Sequence, residues 1–213
     1  MDRPIGTLDL GGTSARFGRT AVHGEVEDLS SPRPSPRSFE EFLQTIRDIF
    51  PSLSLLSGFS FCVPAPVGRK GEILRAPNLP WLSGCNLRQM LESEFRKPVL
   101  VINDMVAAAI GEAVTGELSG STSGMMITLS TGIGAAVVER RSDGSWRVVP
   151  TELGHYPHPE GRGEKCGCGK SIGCFEALHS GAAVRRRLQA EFGASINMDI
   201  CAFLDDQATQ GIS

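Results

Sequence analysis

The sequence predicts an α/β fold built from two related halves. Three observations carry that prediction. A short apolar run breaks at Gly11-Gly12-Thr13, a second strand candidate breaks at Ser130-Thr131-Gly132-Ile133-Gly134, and segments of helical period alternate with β-branched runs between them. At 213 residues the chain can bury a real core as one large domain or two small ones. The Gly/Ser/Thr-rich stretch from Thr115 to Gly124 divides it into halves at residues 1–115 and 116–213, with a cleft expected between the two lobes.

Each element follows from its residues. Ile5 to Leu10 reads as a strand, Ser14 to Arg19 as its hairpin return, and a third strand falls near Glu25 to Leu29. Three prolines between Ser31 and Arg37 stiffen a surface loop whose two arginines are solvated. Ser38 and Glu41 form a capping box for a helix in which Phe39, Phe42, Leu43, Ile46 and Phe50 recur at helical spacing until Pro51 stops it. Leu56 to Val63 is a buried strand ending at Pro64-Ala65-Pro66. Asn86 with Gln89 starts a helix that turns Leu87, Met90, Leu91 and Phe95 inward, and Pro98 ends it. The continuous run Val99 to Ile102 predicts a central strand covered on both faces, delivering Asn103 and Asp104 to its C-terminal end, where a helix from Met105 to Val114 begins. Met125 to Leu129 and Ala135 to Arg140 are strands flanking the second glycine turn, and Asn197 to Asp206 starts a last helix.

A formal net charge of -3 and a pI near 5.8 give no footprint for nucleic acid or an anionic membrane. No apolar run approaches the roughly 20 residues of a membrane span, and the N-terminus lacks the basic start and apolar centre of a signal peptide. The expected compartment is the cytoplasm, which suits thiolates that must hold a metal.

Those thiolates are in the stretch from Glu152 to Glu176, which packs three cysteines, two histidines and flanking carboxylates into one glycine-broken loop. Cys166, Cys168 and Cys174 can supply thiolates and His155 an imidazole, filling the four tetrahedral positions that structural zinc prefers. Core cysteines or a disulfide are the competing readings. Interspersed glycines argue against a regular buried strand, and Cys166 and Cys168 are too close to pair comfortably. His158 is the rival fourth ligand. Cys62, Cys85 and Cys201 lie scattered without a framework spacing and read as small buried or half-buried residues.

The two glycine turns share a logic: glycines let backbone N–H groups approach an anion, and hydroxyls add donors. Each is a candidate phosphate clamp, and Asp9 beside the first can hold Mg2+ through water. Asn103-Asp104 sits where a strand hands over to a helix. There an ordinary helix cap and a carboxylate that accepts a proton from a substrate hydroxyl are compatible roles.

These motifs, D-L-G-G-T from Asp9, S-T-G-I-G from Ser130, and E-L-G-H followed by C-G-C-G-K-S-I-G-C-F-E, resemble the ROK group (repressors, open reading frames and sugar kinases) over Ile5 to about Arg187. The resemblance implies the actin/Hsp70/hexokinase-like (ribonuclease H-like) two-lobed α/β fold with a zinc-binding loop. It also implies ATP-dependent phosphorylation of a hexose, foremost glucose to glucose 6-phosphate, with an N-acetylhexosamine as the alternative acceptor and a non-catalytic sugar-binding regulator or fragment as the alternative role. Asp104 would be the catalytic base. Asn103, Glu152, His155 and Glu176 would hold the sugar with Asn78 and the Ala65-Pro66 turn. Asp9, Gly11, Gly12 and Thr13, with Thr131, Gly132 and Gly134, would hold Mg2+ and the phosphates of ATP. His155 would serve both Zn2+ and sugar, and a homodimer is expected. Two departures stand out. Cys168 to Cys174 contains one residue more than the family pattern, so the loop should bulge, and the family's later adenosine motif and return helix have no counterpart after Arg187, as expected of a C-terminally shortened member.

Overall fold

The computed structural model describes residues 3–21, 24–27, 29–161, 164–166, 168–169 and 173–192. The helix start expected from Asn197, Cys201, and the bulge expected at Lys170-Ser171-Ile172 lie outside the described residues. The chain divides into two compact units, Met1–Ala108 and Ala109–Ser213.

In the first unit, β1 (Ile5–Leu10), β2 (Ser14–Thr20), β3 (Val26–Glu27) and β4 (Arg33–Pro34) precede α1 (Phe39–Ile49). Then follow β5 (Gly58–Val63), a small hairpin of β6 (Glu72–Ile73) and β7 (Cys85–Asn86), α2 (Leu87–Phe95) and β8 (Val99–Asn103). The main sheet runs β3-β2-β1-β5-β8, with β4 also on β2. The pairs β1–β5 and β5–β8 are parallel, so the C-terminal ends of β1, β5 and β8 lie together at one end of the sheet.

Helix α1 starts where Ser38 Oγ accepts from Glu41 N at 3.1 Å, while Glu41 accepts from Arg37 N at 2.7 Å. Its stripe buries Phe42 and Ile46 completely. Phe42 meets Phe61 edge-on at 5.6 Å and Trp81 at 5.3 Å, and the Trp81 indole donates to Pro36 O at 2.9 Å. Helix α2 starts on Asn86, whose Oδ1 accepts from Gln89 N at 3.0 Å. It ends before Pro98, at Arg96, whose left-handed φ of 52° turns the chain into β8.

Three expectations need correction. Val99–Asn103 is an outer strand of its sheet, and Leu100 is 52% exposed, so β8 is not covered on both faces; an apolar run marks a strand but carries no record of what packs on it. The Pro-rich loop contributes β4, tolerated because it pairs only at an edge. The third strand is Val26–Glu27, shorter than Glu25 to Leu29.

Helix α3 (Asp104–Val114) leads into the second unit, where β9 (Ser123–Leu129), β10 (Ile133–Arg140) and β11 (Trp146–Thr151) form an antiparallel sheet in the order β11-β10-β9. β10 begins at Ile133 rather than Ala135, so the turn is tighter than expected, and β11 was not anticipated. The Thr115 to Gly124 stretch is a run of hydrogen-bonded turns, with Leu118 N donating to Glu112 O at 3.1 Å. Ala109 and Ala113 pack on Ala136 and Val138, small residues that let the helix lie close to the sheet. Two further helices, α4 (Phe175–His179) and α5 (Gly181–Phe192), complete the unit. No helix among the described residues is long and apolar enough to cross a membrane.

Candidate functional site

In the first unit the site is assembled at the C-terminal ends of β1, β5 and β8, where open α/β sheets place ligands. After Asp9, Gly11 N donates to Ser14 O at 3.0 Å and closes the turn, and Gly11 O accepts from Ser35 Oγ at 2.6 Å. A Cβ on Gly12 would stand 2.7 Å from Asn78 Cβ, so the second glycine is what lets Asn78 approach the turn. Asn78 therefore lies against the predicted phosphate clamp.

Asn103 connects the rest. Its Oδ1 accepts from Val106 N at 3.2 Å and caps α3, while its Nδ2 donates to Asp104 Oδ1 at 2.9 Å and to Ala65 O at 3.3 Å. Asp104 Oδ1 also accepts from Met105 N at 2.8 Å. Burial raises the Asp104 carboxyl above its ordinary pKa, these hydrogen bonds oppose the rise, and the negative charge of Asp9 adds to it. Desolvation likewise raises Asp9, opposed by Arg16. The two acids thus sense one another, and Asp9, Ala65, Asn78, Asn103 and Asp104 are brought together within this unit.

Sequence reasoning undervalued Cys62. It pairs in register with Asp9 on one side and Ile102 on the other, and burial, then Asp9 and Asp104, push its thiol up to about 11. A neutral thiol therefore sits between the two carboxylates. The signal was available in its position one residue before the end of a strand whose two neighbours carry an acid within one residue of their own C-terminal ends, Asp9 before Leu10 and Asp104 after Asn103. Cys85 instead donates its S–H to Leu82 O.

In the second unit the turn Ser130–Gly132 is fixed from outside. Glu176 Oε2 accepts from Ile133 N at 2.7 Å, and a Cβ on Gly132 would stand 2.6 Å from that oxygen. Gly181 N, at the start of α5, donates to Ser130 O at 2.8 Å. One oxygen of Glu176 is thus committed to the backbone at the second glycine turn, a role that sequence pattern alone did not suggest.

His155 closes a 3-10 turn at Leu153–His155, with Nδ1 3.5 Å from Cys166 Sγ and Nε2 3.8 Å from Glu152 Oε2. Cys168 Sγ and Cys174 Sγ are 3.7 Å apart, and the ligand atoms of His155, Cys166, Cys168 and Cys174 all lie within 4.8 Å of one another. A tetrahedral zinc with bonds of about 2.3 Å to sulfur and about 2.0 Å to nitrogen spaces its ligands by roughly 3.5 to 3.8 Å, so the donor set fits that ion. Burial is the first cause, with the neighbouring thiols adding, that pushes Cys166 up to about 12. Crowded neutral thiols ionise when a cation compensates them. His158 is directed elsewhere: its ring packs on Phe175 at 5.9 Å and His179 at 5.5 Å. Glu152 and His155 are adjacent, and Glu176 Oε1 lies 3.7 Å from Cys166 Sγ, so the three predicted sugar ligands of this unit border the cysteine cluster.

Comparison with known proteins agrees with this architecture. The chain is 33% identical over 199 residues to the N-acetylmannosamine kinase of Escherichia coli O1:K1, covering 88% of this chain and 65% of that protein. It is 30% identical over 197 residues to the glucokinase of Halalkalibacterium halodurans, covering 87% of this chain and 59% of that one. The chain thus spans about two thirds or less of the length of these relatives. Among solved structures, the ROK family glucokinase from Streptomyces griseus in complex with glucose and AMPPNP superposes with a TM-score of 0.70 at 28% identity, over 89% of this chain and 62% of that one. The expected actin- and hexokinase-like α/β fold is therefore the fold of this chain. With the ROK family profile matching residues 5–210, the chain belongs to the ROK family.

Proposed function

We propose that this chain transfers the γ-phosphoryl group of ATP to a hydroxyl of a hexose, with glucose giving glucose 6-phosphate as the leading reaction. The observation that carries the reading is the Asp104 carboxylate: half-buried at the end of β8, oriented by Asn103 and Met105 N, and facing the field of Asp9. Asp104 accepts the proton of the attacking hydroxyl, and a carboxylate raised above its ordinary pKa is a stronger acceptor than a free one. Asn103, Asn78 and the Ala65-Pro66 turn orient the sugar from residues 1–115, and Glu152, His155 and Glu176 do so from residues 116–213. Asp9, Gly11, Gly12 and Thr13 face the phosphates, as do Thr131, Gly132 and Gly134. Asp9 would hold Mg2+ through water, and that ion would supply charge neutralisation on the transferring group. His155, Cys166, Cys168 and Cys174 would hold Zn2+, which would serve structurally to fix the loop that bears Glu152 and Glu176.

An N-acetylhexosamine is the second acceptor, favoured by the 33% identity to an N-acetylmannosamine kinase. Cytoplasmic location and a homodimer belong to the same proposal. A coupled phosphorylation assay over glucose, mannose, N-acetylglucosamine and N-acetylmannosamine, with calorimetric titration of glucose and AMPPNP, tests it. Turnover on one of these sugars is expected. Sugar binding without nucleotide binding or turnover would replace the kinase with a sugar-sensing regulator, and binding of neither would leave an interaction module.

A further inference from the structure

We propose that Cys168 and Cys174 are a redox modification site: hydrogen peroxide oxidises the pair to a disulfide that displaces Zn2+ and frees the Leu153–His155 turn. The consequence for sugar rests on the kinase reading, whereas the chemistry of the pair does not. The two sulfurs stand 3.7 Å apart, close enough that a small shift of one side chain joins them. Cys166 is the poorer partner for either. Only one residue separates it from Cys168, and its own sulfur lies 3.5 Å from His155 Nδ1 and 3.7 Å from Glu176 Oε1.

The surroundings give the two thiols different roles. Cys174 is fully buried and held at the start of α4, where its carbonyl accepts from Ala177 N at 2.9 Å and its backbone bridges to Pro157. Cys168 is only half-buried and precedes Gly169, whose φ is 78°. Among the described residues nothing lies within 4 Å of a Cβ added at Gly169, so this part of the loop has room to move. Cys168 therefore reacts first and the sheltered Cys174 resolves it. In the first step the Cys168 sulfur donates an electron pair to one peroxide oxygen, the O–O bond breaks, and a sulfenic acid forms as water leaves. In the second the Cys174 sulfur attacks the sulfenic sulfur, the S–O bond breaks, and a second water leaves. Two thiols and one hydrogen peroxide thus become one disulfide and two waters.

Disulfide sulfurs are uncharged, so two of the four donors are lost, and His155 with Cys166 cannot complete a tetrahedron. Cys174 stays anchored, so Glu176 keeps the Ile133 amide at 2.7 Å. His155 loses its tether, and its turn then relies on backbone bonds from His155 N to Glu152 O at 2.9 Å and from Tyr156 N to Leu153 O at 3.1 Å. Oxidation loosens one end of the loop, whereas chelation loosens both.

The test treats the whole zinc-loaded chain with hydrogen peroxide, follows zinc with a chromogenic indicator, and maps disulfides by tandem mass spectrometry. Peroxide should release about one zinc per chain as a Cys168–Cys174 disulfide forms, and dithiothreitol with added zinc should reverse both. Hydrogen exchange should rise at the Tyr156 amide and stay unchanged at Ile133, while glucose affinity falls about tenfold in calorimetric titration. Cys168→Asp keeps a fourth ligand without the second sulfur and should release zinc at least about tenfold more slowly, whereas Cys166→Asp, which retains the pair, should match wild type. A chain that holds no zinc, a disulfide between other cysteines, or zinc retained after the bond forms overturns the proposal. So does wild-type release from Cys168→Asp, an equal rise in exchange at Ile133, or unchanged glucose affinity after oxidation. A reduced chain that binds no glucose sinks the sugar reading alone.

Discussion

At the scale of single residues, the proposed chemistry depends on keeping two acids close without losing the fold. Asp104 has its pKa raised in the folded state, so the folded protein holds that proton more tightly than the unfolded chain does. The stability this provides at low pH is lost as pH rises from the ordinary carboxylate range through the raised value. Asp104→Asn should therefore melt at higher temperature than wild type at neutral pH, with the gain vanishing in acid. It should also lower phosphorylation by about a hundredfold to ten-thousandfold while sugar binding persists. Equal loss of binding and turnover would show that Asp104 is not the base. Because Asp9 contributes to the rise, Asp9→Asn should move the Asp104 titration to lower pH, read by carboxyl NMR; an unmoved titration would separate the two acids. Gly12→Ala is the steric counterpart. Its Cβ would stand 2.7 Å from Asn78, so a loss of about 1–3 kcal/mol and weaker sugar binding are expected from chemical denaturation and titration. The conformational need for a small residue at Gly12 was legible from the glycine pair. Its partner was not, because Asn78 is distant in sequence and reaches the turn through tertiary packing alone.

Among elements, the cysteine loop and the second glycine turn act as one device. Cys174, fully buried, immediately precedes α4, whose Glu176 accepts the Ile133 amide and fills the space left by Gly132. A metal that fixes Cys174 therefore also fixes the turn proposed to face phosphate. Elemental analysis should find about one zinc per chain. Chelation should lower the melting temperature and increase hydrogen exchange at the Ile133 amide, whereas exchange in β1 and β5 stays the same. Absence of zinc, or an Ile133 amide indifferent to chelation, would dissociate loop from turn. That His155, Cys166, Cys168 and Cys174 come together was readable from composition and spacing, since three thiols and an imidazole within twenty residues leave few other uses. That one oxygen of Glu176 serves the backbone of a distant strand was not readable, for the same residue type at the same place also suits a sugar hydroxyl.

Across the whole molecule, the two units differ in how much core they own. Among the described residues, the first buries Phe17, Phe42, Phe59 and Phe61 with a large aliphatic set, while the second buries Ala109, Ala113, Ala136 and Val138 in one cluster and Ile133, Ala135, Cys174, Ala177, Leu178 and Ala183 besides, with no fully buried aromatic ring. On β9, Met125, Ile127 and Leu129 remain 48 to 72% exposed. Burial of apolar area is the main favourable term in folding, so the second unit should open first. Each unit holds one tryptophan, Trp81 and Trp146, so Trp81→Phe and Trp146→Phe variants report them separately. The Trp146 transition should precede that of Trp81 by on the order of 1 M urea, with chelation widening the gap. Coincident transitions would mean that the chain unfolds as one cooperative body.

Local order of residues was enough for the alternation of strands and helices, the capped start of α1, both glycine turns, the Asn103-Asp104 handover and the clustering of His155 with Cys166, Cys168 and Cys174. Each of these depends on neighbours within a few positions, where backbone sterics, capping and donor chemistry act directly. Packing alone decided that β8 lies at a sheet edge, that β4 forms from a proline-rich loop, that Cys62 lies between two acids and that Arg16 faces Asp9. Those outcomes depend on which strands become neighbours and in what register, and pairing energies arise between segments that the chain brings together only after it has folded.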